Sequence, residues 1–589
     1  MKEVGDLLVA YLRQLNVEYV FGVPGGAIEP LYNALAKSAR LGGPQPVVAR
    51  HEAGAAFMAD GYARATGRLG VCCATTGPGA TNLITGVASA YENHIPMLVI
   101  TAQTALTNFG RGALQESSCT ATDIVGMFRH CTRYNTLVSH IEQFERKLAA
   151  AILHTQGAQA GPAHLSVPRD IMSASAPVPT PSFSLTASSW TRPISHVDES
   201  VDLVLERLKR ARKSVFVIGH GCRDAIGVIL DLAVQIDATV VVSPHGKGLV
   251  SPYHPLFRGV FGFAGHNSAR EALIDPDVDE IVAVGVTLSE WSSNGWDDTA
   301  LLHGKLIHID ADEENFTRSP MAGMHVLGSV NGIFGYLLEQ IRGGDPEKRW
   351  IRAESGEIQA TIPDWQGPEP MRHFRLDKES CYLDESTPIK PQRLMHDLPR
   401  LLPSNTRYVV DSGNSAAWAI HYLHPFDRRV AGKRDARSCT FDGCMEFASM
   451  GWAIGAAVGA AIADRSKPVV CITGDGSLLM SGQEITVAVQ HRVPMLFVIL
   501  NDAALGMVKH GQRLANAEPI GFELPEIDYV AYAEIMGGKG YSIHSPKDLA
   551  ELDFDAILKY PGPTLLDVHI DREESPPIAA RMKVLQSLI

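Results

Sequence analysis

Short unbroken runs of apolar and β-branched residues recur along this chain, and the stretches between them place their apolar positions at helical spacing. A strand buried on both faces of a parallel sheet has that unbroken character, so the alternation predicts strand–helix–strand units and an α/β fold. The runs fall into three groups: 17–22, 46–50, 71–75, 94–100 and 163–168; then 214–218, 238–242, 280–285 and 305–310; then 408–410, 468–472, 493–500 and 563–569. Ahead of them, Val4, Leu7, Leu8, Tyr11, Leu12 and Leu15 share one helical face and predict an opening helix. Residues 173–193 are rich in Ser, Ala, Pro and Thr, and residues 362–392 combine five prolines with mixed charge, so both read as connectors. The expectation is three doubly wound parallel-sheet domains, at 1–175, 190–360 and 385–589.

The first and third groups share a faint internal repeat. Gly77-Pro78-Gly79 precedes a helix and then His94-Ile95-Pro96-Met97-Leu98; Gly474-Asp475-Gly476 precedes a helix and then His491-Arg492-Val493-Pro494-Met495-Leu496. The glycine-to-proline intervals are 19 and 20 positions, which predicts two domains of one topology at opposite ends of the chain.

Composition narrows the function classes. At 589 residues and 45% apolar the chain is too long for one core, and its net charge of -13 without a basic cluster argues against nucleic acid. No apolar run approaches a membrane span, and the first residues do not resemble a signal peptide. Nine scattered cysteines without a Cys-x-x-Cys pair indicate neither a disulfide framework nor zinc, and predict a reducing cytoplasm.

The chemistry concentrates at Thr473-Gly474-Asp475-Gly476-Ser477, followed 27 positions after the aspartate by Asp502. Glycines flanking Asp475 let backbone approach a phosphate, and two carboxylates supply hard oxygen ligands to a divalent ion. Each aspartate alone reads as a loop carboxylate after a strand. Together, at the ends of two strands joined by one helical crossover, they become neighbours and predict a metal and diphosphate site. Ser481 and Glu484 have capping-box spacing for the intervening helix. Asn414 and Ser415 follow another strand, where small polar residues present backbone amides and hydroxyls to a phosphate; a plain helix cap is the competing reading.

These motifs resemble the thiamine diphosphate-dependent enzymes, and among them the acetolactate (acetohydroxyacid) synthase-like group. The family's Gly-Asp-Gly, interval and Asn-Asn match Asp475 and Asp502 as metal ligands, with aspartate here in place of the second asparagine; the carbonyl of Ala504 matches the third protein ligand to Mg2+. His51-Glu52-Ala53-Gly54 matches the stretch carrying the activating glutamate, so the resemblance implies that Glu52 hydrogen-bonds N1' of the aminopyrimidine. It further implies cofactor contacts from Val23, Pro24, Thr75, Pro78 and Asn82 in the first domain. In the third it implies Gly413, Asn414, Ser415, Ala448, the wedge Met450, Gly474, Gly476, Ser477, Gly506 and Met507. The two halves of such a site meet across a subunit interface, so a homodimer is the expected minimum and a homotetramer the expected assembly.

The same resemblance implies a 2-oxo acid donor, with acetolactate formation from two pyruvates as the leading case. Gln115 is carried over as a residue near the reacting carbon, and Gly26, Ala27, Leu114 and His510 as substrate contacts. Leu114 replaces an aromatic wall, and Gly511 stands where many biosynthetic synthases have a selective tryptophan, so an aldehyde-releasing decarboxylase or a carboligase with an unusual acceptor stays open. An exposed helical histidine is the plain alternative for His510. Gly285-Val286-Thr287-Leu288 lacks the arginine of FAD-binding relatives, which disfavours FAD, and Gly219-x-Gly221 is an incomplete dinucleotide fingerprint. A non-catalytic binding or regulatory homologue and an FAD-using oxidase of the same fold are the remaining alternatives.

Overall fold

Three six-stranded parallel sheets are formed by the described residues. The computed structural model describes residues 2–157, 159–185, 199–343, 371–425 and 440–578; parts of both predicted connectors, 186–193 and 362–370, and the tail beyond 578 lie outside these. The first sheet contains β1 (Tyr19–Gly22), β2 (Gln45–Val48), β3 (Gly70–Ala74), β4 (Met97–Gln103), β5 (Tyr134–Leu137) and β6 (Pro162–Pro168), in the order β2-β1-β3-β4-β6-β5. The central sheet contains β7 (Ser214–Ile218), β8 (Thr239–Val242), β9 (Phe257–Val260), β10 (Glu280–Val284), β11 (Leu306–Asp310) and β12 (Met324–Leu327), ordered β12-β11-β10-β7-β8-β9. The third contains β13 (Arg407–Val410), β14 (Phe441–Gly443), β15 (Val469–Gly474), β16 (Met495–Asn501), β17 (Lys539–Ile543) and β18 (Pro563–His569), ordered β14-β13-β15-β16-β18-β17.

Counted from its own first strand, the third sheet has the strand order of the first. The repeat read from Gly77 and Gly474 is therefore a repeat of topology, with β3 and β4 standing to the first sheet as β15 and β16 do to the third. Five strands have no counterpart among the predicted runs: β5, β9, β12, β14 and β17. All five are sheet edges. An edge strand is not enclosed on both sides, and β5 has no fully buried residue while β17 has one, so neither carries an unbroken apolar run.

The first and third domains share one apolar core, which includes Phe21, Phe57 and Tyr62 on one side and Trp452, Ile485 and Phe497 on the other. A second core joins Phe216 and Phe334 of the central domain to Trp418 and Leu496 of the third. At the first of these junctions the helix Glu52–Thr66 lies against the small-residue helix Trp452–Ala463 at near backbone contact. A Cβ on Gly61 would stand 1.9 Å from the Ala456 carbonyl oxygen, and one on Gly459 2.0 Å from that of Met58. Asp60 locks the pair from within, accepting from Trp452 Nε1 at 3.0 Å and from Arg64 Nε at 2.5 Å. Because backbone cannot yield as a side chain can, Gly61→Ala is expected to destabilise the protein by about 1–3 kcal/mol. A lowered denaturant midpoint at unchanged slope is the measurement.

Candidate cofactor and metal site

β15 ends at Gly474 and a helix, Asp475–Ser481, begins at the next residue. This corrects the expectation of a helix starting at Ser481 under a capping box: Ser481 closes the helix and makes no cap bond. The carboxyl of Glu484 is used elsewhere, accepting from the backbone amides of Arg50 and His51 in the first domain at 3.1 and 2.9 Å. Burial pushes that carboxyl up to about 7, against the downward pull of the two amides.

Gly474 pairs in register with Leu500 of β16, so Asp475 and the loop after β16 are adjacent. Asp475 is buried; its Oδ1 accepts from the Gly476 amide at 2.7 Å, while Oδ2 has no hydrogen-bond partner among the described residues. The amides of Asp502, Ala503 and Ala504 face the same carboxyl. Burial pushes Asp475 up to about 6, and burial followed by repulsion from Asp475 pushes Asp502 up to about 7, with Lys509 and Arg572 pulling the latter down. Two carboxyls crowded in this way are poised for a cation to take the place of a proton.

The loop is held by a strap: Leu505 N donates to Phe522 O at 2.7 Å and Leu524 N to Ala503 O at 2.9 Å, with Ala503 in the left-handed region at φ 48°. Glycine at 506 is a steric requirement, since a Cβ there would lie 2.5 Å from Asn414 Nδ2 and 2.6 Å from Asp502 Oδ2. Asn414 and Asp502 thus converge on one point, and Asn414 Oδ1 is a second buried atom without a partner among the described residues. Gly413 supplies the cap of the helix Asn414–Tyr422 at φ 83°, which places Ser415 inside the helix rather than at its cap. Gly413, Asn414, Ser415, Met450, Gly474, Asp475, Gly476, Ser477, Asp502, Ala504, Gly506 and Met507 all line one cavity, and every residue lining it belongs to the third domain.

Asp411 was not among the predicted site residues. It is fully buried, its carboxyl is pushed by burial up to about 6, and its Oδ2 accepts from Thr473 Oγ1 at 2.8 Å and from the Gly451 amide at 3.0 Å. It therefore ties the end of β15 to the turn that carries Ala448, at φ 54°, and Met450, which is 38% exposed. A carboxylate closing an otherwise apolar strand was the available signal.

In the first domain, Glu52 opens its helix directly after β2, with the His51 ring capping the Ala53 amide. Glu52 is 8% exposed, and its Oε2 accepts from Asn82 Nδ2 at 2.9 Å. Gly79, on the short helix begun by Pro78, closes in from the other side, where a Cβ would be 3.1 Å from Glu52 Oε1. Val23, Pro24, Gly26 and Ala27 occupy the turn after β1, against which Thr75 packs at Gly25; the position of a Cβ on Gly26 is open. Leu114 projects into solvent at 88% exposure, and Gln115 sits at φ 59° with its carbonyl accepting from Thr76 and Ser117 hydroxyls.

His510 departs from the exposed alternative: it is buried, bonded to Arg513 Nη2 at 2.9 Å, and held by burial down at about 4, hence neutral near pH 7. Beside it Gly511 is open, with no atom within 4 Å of a would-be Cβ. In the central domain, Thr287 and Ser289 hydroxyls donate to Glu446 of the third domain at 3.2 and 2.8 Å, so the turn expected to hold an arginine in FAD-binding relatives is tied to a carboxylate instead.

Comparison with known proteins gives the family. Residues 2–124 match the thiamine pyrophosphate enzyme N-terminal TPP binding domain, 201–337 the central domain and 411–568 the C-terminal TPP binding domain. The acetolactate synthase isozyme 2 large subunit of Escherichia coli (strain K12) is 30% identical, with 99% of each chain covered. The putative acetolactate synthase large subunit IlvB2 of Mycobacterium tuberculosis is 30% identical over 98% of this chain and 99% of that protein. This chain belongs to the thiamine pyrophosphate enzymes, in their acetolactate synthase-like group. The third-domain cavity of this thiamine pyrophosphate enzyme fits a phosphate group, since its glycines leave room and Asp475 Oδ2 and Asn414 Oδ1 are buried with no hydrogen-bond partner among the described residues. No helix among the described residues of this enzyme is long and apolar enough to cross a membrane.

Proposed function

We propose that this enzyme decarboxylates a 2-oxo acid, pyruvate in the first instance, and passes the two-carbon fragment to a second carbonyl compound to give acetolactate. The pairing of Asp475 and Asp502 at adjacent strand ends carries the reading, together with the full-length similarity to acetolactate synthase large subunits. Asp475, Asp502 and the Ala504 carbonyl would hold Mg2+, whose six-oxygen preference is completed by diphosphate and water. When bound, thiamine diphosphate supplies an electron sink for the pair released by decarboxylation.

The protein's own groups then have distinct tasks. Glu52, kept in place by Asn82, holds and moves the proton at N1' of the aminopyrimidine. Met450, on a turn fixed by Asp411, lines the cavity and would support the cofactor from there. Gln115 faces the substrate. His510, neutral and engaged with Arg513, serves as a polar wall and not as a proton donor. We assign a homodimer as the smallest active unit, because the Asp475 cavity draws on no first-domain residue and the adjacent Leu479 and Met480 are exposed; the homotetramer rests on the family resemblance alone.

A second reading, a decarboxylase or a carboligase with another acceptor, is favoured by the open space at Gly511 and the exposure of Leu114. Incubation of purified protein with thiamine diphosphate, Mg2+ and pyruvate separates the two. Carbon dioxide with acetolactate is expected; acetaldehyde without acetolactate would reject the synthase assignment, and no turnover of any 2-oxo acid would reject catalysis.

A further inference from the structure

Glu484 takes no part in the cavity around Asp475, yet it is fully buried, and a carboxyl taken from water needs compensation. The compensation comes from the other end of the chain. Its Oε1 accepts from the amides of His51 at 2.9 Å and Arg50 at 3.2 Å, and its Oε2 from Arg50 at 3.1 Å. These are the last two amides before Glu52, at the amino end of a 15-residue helix where unpaired donors and the helix dipole favour a negative group.

An independent observation marks the same contact. A Cβ on Gly54 would lie 2.3 Å from Glu484 Oε1, so the first turn of the helix is bare where the carboxyl enters. Arg50 adds a latch without competing for Glu484: its guanidinium donates to Thr486 Oγ1, Gln490 Oε1 and the Val48 carbonyl, each at 2.7 Å. Two elements of the third domain thus grip the peptide units between β2 and the helix, at the one place where their orientation decides how Glu52 leaves the sheet.

We propose that Glu484 is a positioning residue for Glu52, a carboxyl contributed by the third domain that fixes the Arg50–His51 backbone and thereby aims the Glu52 side chain. The inference rests on the reading of Glu52 given above. It assigns to the acidic residue nine positions beyond Asp475 a role in the first-domain half of the site, coupling the two repeated domains of one chain. Glutamine at 484 keeps one acceptor oxygen but turns an amide toward the Arg50 N–H, whereas alanine removes both acceptors. The expected effects are therefore graded.

The test uses the full chain with Glu484→Gln, Glu484→Ala and Gly54→Ala, the last displacing the carboxyl without deleting it. In cofactor-free protein, amide hydrogen exchange across 48–53 is expected to accelerate about tenfold or more in Glu484→Ala, less in Glu484→Gln, with β15 and β16 unchanged. With cofactor and Mg2+, kcat is expected to fall about tenfold to a hundredfold while KM and cofactor affinity move less than about threefold. Unchanged exchange at 50–51, or a kcat loss that only tracks lost cofactor affinity or global stability, overturns the proposal. Gly54→Ala and Glu484→Gln decide the matter if Glu484→Ala does not fold. Measured alongside, a fully active Glu52→Gln would bring down the reading of Glu52 and the proposal together; an inactive Glu52→Gln beside a fully active Glu484→Ala would bring down the proposal alone.

Discussion

Glu52→Gln is expected to lower kcat by about 10²–10⁴-fold with little change in KM or in cofactor affinity. Glutamine has nearly the volume of glutamate, and its oxygen can still accept from Asn82 Nδ2, so the pocket between Asn82 and Gly79 stays filled. What is lost is a group that can take and return a proton. Deuterium exchange at C2 of the bound cofactor, followed after acid quench, is expected to slow by the same factor; exchange at the wild-type rate would remove Glu52 from its role. The variant also tests the assembly. Mixed and reassociated with an Asp475→Ala chain, itself inactive, it is expected to regain about a quarter of wild-type activity, since half of the random dimers carry one intact cross-subunit site. No regain would place Glu52 and Asp475 in a site within one chain.

The buried strands were legible because a strand enclosed on both faces leaves little room for polar residues; β15 and β16 are nearly solid apolar runs. Five of the six edge strands were not: β5 and β17 are mostly unburied and carry no apolar run, while β14 is only three residues long and includes Asp442. At the site, spacing alone brought Asp475 and Asp502 together, because one crossover between parallel strands admits few geometries. Asp411 and Glu484 were missed or misread because their partners are distant in sequence: Asp411 is 40 positions from Gly451, and Glu484 is 433 from His51. Periodicity is blind to such contacts. The local pattern even misled at Glu484, where three-residue spacing from Ser481 mimics a capping box. For His510 the sequence left a substrate contact and an exposed helical histidine open, and on the short polar helix Gly506–Leu514 it is the Arg513 side chain and the packing around it that bury the ring.

Asp502→Asn is expected to weaken Mg2+ binding by about tenfold or more at pH 8 and to flatten its dependence on pH. In the cation-free site both carboxyls lie above their ordinary range, Asp475 at about 6 and Asp502 at about 7, through burial and, for Asp502, repulsion between the two. A raised value means that the protonated form is favoured until the cation arrives. Below about pH 7 the cation must displace a proton, so wild-type affinity is expected to fall by up to about tenfold per unit between pH 7 and pH 6. Asparagine removes the carboxyl that titrates at about 7 and leaves Asp475, which burial holds at about 6, so the variant site binds less tightly and its affinity varies little until the pH nears 6. Titration calorimetry on chelator-treated protein with thiamine diphosphate present would measure both effects; equal affinity and equal slope in the two proteins would show that the second carboxylate does not touch the metal. Lys509 and Arg572 pull Asp502 down against burial and the Asp475 charge, and so offset part of the added negative charge. Their side chains are anchored to Glu573 and Glu523, and neither lines the cavity around Asp475.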